Sequence, residues 1–265
     1  MAPRGWFYRV RVAVLAWLLA AVALWACTDY HDRRARNEWT APIRVGLILL
    51  RHGEADRASV ELLRKRARAL EARLAEEFRR YRPHAGEPMI QIVSYGPVDV
   101  DEAPPADPGE TLWQRAWHAF SLFRYTDAVD ARAGVPSRGL DSRVYVVALP
   151  ASIAACRFVE GFSESGGRVG VASVELDAST VDLGLFVAAH ELFHTLGASD
   201  KYDASGRARF PEGLADPDQR PLYPQLGAEV MARNRVVGPR TEVVPASLDE
   251  LRVGRETARE IGWLR

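Results

Sequence analysis

His190-Glu191-Leu192-Phe193-His194-Thr195-Leu196-Gly197-Ala198-Ser199-Asp200 is the stretch that decides how this chain reads. On a helix, side chains four apart differ by about 40° around the axis, so the imidazoles of His190 and His194 project from one face and can share one metal ion. Glu191 stands beside them, free to act as a base. Gly197 can take a left-handed backbone conformation that ends the helix and turns the chain back, bringing Asp200 toward the ion from the other side. An ordinary turn aspartate is the alternative reading of Asp200, and Asp203, in the same polar run, is the second candidate for third ligand. Three protein ligands leave a position for water, as in catalytic zinc sites, and neither Cys lies near enough in sequence to close the site. Upstream, Val181, Leu185, Ala188, Leu192 and Leu196 form an apolar stripe at helical spacing, and Ser179 with Asp182 three residues on predicts a capping box.

The extended pattern HExxHxxGxxD resembles the metzincin clan of zinc metallopeptidases, whose usual form ends in His and which has an aspartate variant in some bacterial members. A downstream methionine turn is the clan's second mark, and Ala228-Glu229-Val230-Met231-Ala232 resembles one, with one of only three Met in the chain. The resemblance implies an α+β fold: a twisted mixed sheet with packed helices, an active-site helix, an irregular lower lobe and a C-terminal helix. It also implies one catalytic Zn2+ on His190, His194 and Asp200, with Glu191 as general base and acid, and Gly197 and Met231 as structural residues. The chain lacks the tyrosine that follows the methionine turn in some members. Tyr202 is the candidate to support the transition state in its place, its alternative being a packed loop aromatic.

The N-terminus is an export segment. Arg4, Arg9 and Arg11 precede an uncharged stretch, Val12 to Thr28, whose length suits a short membrane span with its start in the cytoplasm. The favoured reading is an uncleaved anchor over residues 1–28, with the catalytic domain outside the cytoplasm; secretion after cleavage near Ala21-Val22-Ala23 is the alternative. Leu24-Trp25-Ala26-Cys27 fits a lipidation motif poorly because of Trp25. Residues 29–42 read as a polar tether and 43–265 as one domain. A net charge of zero argues against a nucleic-acid partner. The lipid bilayer and a peptide or protein substrate are the expected partners. Only Cys156 lies beyond the export segment, so no intramolecular disulfide is expected.

Along the domain, Ile43 to Leu50 reads as a strand, and apolar residues from Val60 to Tyr81 mark a helix that stops before Pro83. Met89 to Tyr95 is a second strand and Val98 to Pro108 a proline-rich loop. Leu112, Ala116, Phe120 and Phe123, with Trp113 and Trp117, mark an inserted helix whose aromatics read as core. Val144 to Leu149 and Arg168 to Leu176 are further strands, the second taken as the edge along which a substrate lies, with Gly166 and Gly167 before it either admitting substrate backbone or making a turn. Phe210 to Gln225 has four prolines and little periodicity. Ser247 to Glu250 opens a predicted final amphipathic helix containing Leu251, Ala258 and Ile261.

Two other function classes compete with a zinc endopeptidase. Arg51-His52-Gly53 at the end of the first strand resembles the signature of histidine phosphatases, but the best second histidine, His190, is followed by Glu191, whose charge repels phosphate. A non-catalytic, zinc-stabilised binding domain on the membrane needs the ligands but not Glu191.

Overall fold

A computed structural model describes residues 4–105, 109–151, 159–163 and 166–264. Cys156 lies outside the described residues. The chain divides into two compact units, Met1–Glu38 and Trp39–Arg265. The first is a single helix, α1 (Arg4–Arg36), long and apolar enough to cross a membrane or serve as a signal sequence, with a window of mean hydropathy 2.2. The helix runs on through Tyr30 and ends at Arg36, into the stretch that reads as a tether.

The second unit is built on a five-stranded mixed sheet. In chain order it holds β1 (Ile43–His52), α2 (Arg57–Tyr81), β2 (Ile90–Val100), α3 (Leu112–Ala133), β3 (Ser142–Pro150), β4 (Val159–Ser163), β5 (Val169–Leu176) and α4 (Val181–Thr195). Strands lie in the order β2-β1-β3-β5-β4, with β4 alone antiparallel. Helices cover both faces, which is why β1 and β3 read as near-continuous apolar runs. On one face Val45, Leu47 and Leu49 of β1 and Val144 and Val146 of β3 pack with α2 and α4. On the other, Ile48, Leu50, Tyr145 and Val147 meet the C-terminal half of α3 through Val129.

Several expectations need correction. Arg168 to Leu176 is not the edge: β5 pairs with β3 and β4, and the edge is β4. The strand at Met89 to Tyr95 continues to Val100, through Pro97, because β2 is the opposite edge and a proline there removes no ladder bond the sheet requires. No capping box opens α4; its N-cap is Thr180, whose hydroxyl accepts the Asp177 N–H at 2.8 Å instead of capping the helix, while Asp182 binds Arg66 at 2.7 Å and accepts the backbone N–H of Leu248 at 3.1 Å. Leu112, Trp113, Trp117, Phe120 and Phe123 are exposed, not core.

Beyond α4, the stretch to Gly227 is irregular, as expected, with one isolated bridge between Tyr202 and Ala208. Side-chain amides do the work of a sheet there: buried Gln225 donates to the carbonyls of Asp216 (2.9 Å) and Leu222 (2.8 Å) and accepts the Asp216 N–H. The segment from Ser247 is not one helix. A 3-10 turn (Leu248–Glu250) leads into β9 (Leu251–Arg252), paired with β6 (Ala228–Glu229), and then α5 (Arg255–Glu260); β7 (Arg235–Gly238) and β8 (Thr241–Val243) form a hairpin between them. Trp263, fully buried, contacts Trp39, Phe78 and Phe193 edge-on, and the Trp39 indole N–H donates to the Ile261 carbonyl at 2.6 Å. Trp39 thus opens the domain, four residues earlier than the sequence suggests.

Candidate metal centre

Helix α4 ends in a Schellman motif that Gly197 makes feasible. The Gly197 N–H donates to the His194 carbonyl (2.9 Å) and the Ala198 N–H to the Phe193 carbonyl (3.0 Å), with Gly197 at φ +96°. This turn does two things for the histidines. It presents the Ala198 carbonyl to His194 Nδ1 at 2.9 Å, and it reverses the chain toward Asp200. His190 Nδ1 meets a different carbonyl, that of Val230, at 2.8 Å. A carbonyl only accepts, so each Nδ1 carries its proton, and in the neutral rings each Nε2 is a bare lone pair.

Those lone pairs converge. His190 Nε2 and His194 Nε2 are 3.1 Å apart, and Asp200 Oδ1 is 3.2 Å from each. Three acceptors at such distances repel one another unless a positive charge sits among them. A tetrahedral zinc with bonds of about 2.0–2.1 Å has ligand atoms about 3.3 Å apart, so the triangle has the dimensions of one face of that tetrahedron. The charges point the same way. Burial opposes the His194 imidazolium, but Asp200, Glu191 and the Ala198 carbonyl outweigh it and raise its pKa. Burial likewise opposes the Asp200 carboxylate, but the two histidines hold its pKa well below the usual range. The cluster favours a cation, and the donor set of two imidazoles and a carboxylate suits zinc.

His190, Glu191 and His194 form a group whose ligand atoms lie within 4.8 Å of one another, close enough to hold a metal ion. Asp200 Oδ1, 3.2 Å from both Nε2 atoms, completes a near-equilateral triangle with them. Glu191 is buried, with Oε2 lacking a hydrogen-bond partner, and burial raises its pKa above the ordinary glutamate value. Its carboxylate occupies space that only glycine leaves open: a Cβ on Gly161 of β4 would fall 1.9 Å from Glu191 Oε1. Gly170 of β5 similarly admits the Glu191 backbone. Gly161 and Gly170 escape a reading of the sequence for function; a glycine within each of two strands is the available signal.

Asp203 is not drawn to the cluster, since its Oδ1 accepts from Ser205 N–H (2.8 Å), Ser205 Oγ (2.6 Å) and Arg207 N–H (3.1 Å), closing a local turn. Tyr202 lies near parallel to His190, ring centroids 6.3 Å apart, and burial together with Asp200 pushes its hydroxyl up to about 12. Met231 is fully buried in the core shared with Ala189 and Phe193. The adjoining Val230 carbonyl is what reaches His190, and the Met231 carbonyl accepts the Lys201 N–H at 2.8 Å. Glu229, unremarked in the sequence, fixes this turn by accepting from Met231 N–H, Gly254 N–H and Thr257 Oγ1. Its place within the apolar run Ala-Glu-Val-Met-Ala is the clue that it is buried with internal partners.

A cleft of 1140 Å³ runs past these residues, lined also by Gly161 to Ser163 of β4, Ala232 to Asn234 and Val244 to Ala246. Gly166, φ +70°, donates to the His194 carbonyl, so it makes a turn at the helix end. Of the residues in the phosphatase reading, Arg51 is engaged by Asp99 at 2.6 Å and by the Gly53 carbonyl, and His190 by the Val230 carbonyl and His194. No protein-family profile matches the chain, and no curated protein matches it significantly.

Proposed function

We propose that the chain is a metzincin-like, zinc-dependent endopeptidase, anchored in a membrane by α1 with its catalytic domain outside the cytoplasm. The observation that carries this reading is the meeting of two imidazole Nε2 atoms and one carboxylate oxygen beside the partnerless carboxylate oxygen of Glu191. His190, His194 and Asp200 would hold a zinc ion, which would supply a Lewis acid able to bring the pKa of a water toward about 7 and to polarise a peptide carbonyl. Glu191 takes the proton of the attacking water. Burial makes it a stronger base than an exposed glutamate, and once protonated it delivers that proton to the departing amine. Tyr202, protonated at neutral pH because its pKa is so high, donates a hydrogen bond toward the developing oxyanion.

The substrate lies extended along β4, whose outer edge is unpaired among the described residues and which lines the cleft. Main-chain hydrogen bonds from this edge hold it across Glu191. The test is the zinc content of the purified full-length chain in detergent, wild type against His194→Ala, followed by peptide cleavage with Glu191→Ala as the inactive control. One zinc per chain, lost in the histidine variant, and cleavage that depends on Glu191 are expected. A folded wild type that takes up no zinc sinks the reading; one that binds zinc but cleaves nothing leaves a zinc-stabilised binding domain.

A further inference from the structure

The N-terminal half of α3 leaves a large apolar surface uncovered. Leu112 is 85% exposed, Trp113 77%, Trp117 61%, Phe120 49% and Phe123 65%. At 100° per residue these five and Ala116 fall within an arc of about 140°, with no charged residue on it over the first three turns. Gln114, Arg115 and His118 lie on the opposite side. From Thr111 to Phe120 every residue but His118 is exposed, so this part of the helix is a convex ridge that stands off the sheet. The helix begins with a full capping box between Thr111 and Gln114, which makes the ridge a formed element without any partner.

We propose that this ridge is a membrane-docking element that inserts Leu112, Trp113, Trp117, Phe120 and Phe123 into the interfacial layer of a lipid bilayer. Two tryptophans and two phenylalanines, on a face that carries no charge until the exposed Arg124 at its C-terminal end, are the side chains the interface accepts, each offering a large apolar body where lipid chains meet headgroups. A convex ridge enters lipid without a matching concavity, which a folded partner has to supply. The bilayer is also close at hand along the chain: α1 carries the membrane-length apolar window, and only Asn37 and Glu38 separate its end from Trp39, the first core residue of the domain. His118, on the back of the ridge, contacts Phe162 of β4 with ring centroids 5.9 Å apart, and Phe162 lines the cleft. Docking therefore sets the cleft beside the bilayer surface and favours membrane-proximal segments as substrates.

The inference rests on α1 residing in the membrane and is independent of the metal centre. The full-length chain is reconstituted into phosphatidylcholine vesicles with plain or brominated acyl chains, as wild type and as Trp113→Phe/Trp117→Phe. The fluorescence lost in the double variant is the signal of these two tryptophans, while the fluorescence that remains comes from five others, of which Trp6, Trp17 and Trp25 lie on α1 and report its insertion against the constant signal of the buried Trp39 and Trp263. Bromine quenches indole only at close range, so docking predicts that the Trp113/Trp117 signal falls about twofold or more in brominated vesicles. If the tryptophans of α1 are quenched while that signal is unchanged, the proposal is overturned. It is equally overturned if the signal ignores bromine but shifts on adding a peptide, which assigns the ridge to a protein ligand. Quenching of neither set overturns docking together with the anchor and leaves the zinc measurements untouched.

Discussion

The carboxylate of Glu191 is confined between Gly161 and the cleft, and this confinement is as specific as its charge. Glu191→Gln keeps the shape and the helix but cannot take a proton. It is expected to retain zinc and to lose peptide cleavage by about 10³-fold. Gly161→Ala attacks the same group from the strand, because the new methyl would stand 1.9 Å from Oε1 and the carboxylate must swing away. We expect cleavage to fall by about 100-fold with one zinc still bound, since neither histidine contacts this position in the network of bonds above; loss of zinc in that variant refutes this role for Gly161. The two aspartates separate in the same way. Asp200→Asn should weaken zinc binding by about 100-fold or more, whereas Asp203→Asn, which only opens a turn, should leave it unchanged; competitive titration with a chelator measures both.

At the scale of the element, the end of α4 is the decisive piece. Gly197→Ala places a side chain at φ +96°, where no neighbour lies within 4 Å of the added Cβ, so the cost is backbone strain alone. We expect about 1–2 kcal/mol of lost stability in urea unfolding, together with weaker zinc binding, because Ala198 and Asp200 both depend on the turn. This end is legible in the sequence because glycine, two histidines and an apolar stripe all agree on where the helix stops. The helix α2 is legible for the same reason, its apolar spacing running without a break from Val60 to Tyr81. The face of α3 is legible and its surroundings are not: periodicity shows that Trp113, Trp117 and Phe120 share a side, but it is identical whether protein, lipid or water lies against it. Strand β4, Val-Glu-Gly-Phe-Ser, offers five residues with no alternation to read, so its longer neighbour reads as the edge. The C-terminal stretch misleads differently, since Leu251, Ala258 and Ile261 are all buried at helical spacing although a strand and a turn of chain lie between them.

At the scale of the whole molecule, the candidate metal centre is assembled from parts far apart in sequence and braced by an ion pair. Lys201, buried next to Asp200, donates to Glu260 Oε1 of α5 at 2.7 Å and to Ser199 Oγ at 2.8 Å, while Glu260 also accepts the Ser199 N–H and hydroxyl. Glu260 thereby joins the C-terminal helix, itself linked through Glu229 to the turn at Met231, to the arm that carries Asp200. Partial burial opposes its charge, but Lys201 and Ser199 outweigh that and hold its pKa below the ordinary glutamate value of 4.5. A carboxylate depressed in the folded state binds protons less readily there than in the unfolded chain, so its stabilisation is present above 4.5 and is lost as the pH falls through the lower folded value. Glu260→Gln removes this contribution and leaves the Lys201 ammonium without its anion. At neutral pH the variant should be less stable than wild type by about 2 kcal/mol in chemical unfolding. The difference should shrink as the pH falls from 4.5 through the lower folded value, first as the unfolded chain's carboxylate protonates and then as the folded one does. A gap that stays constant down to strong acid would mean that the pair is not what holds the arm, and that the turn at Gly197 and the Met231 carbonyl suffice to keep Asp200 in place.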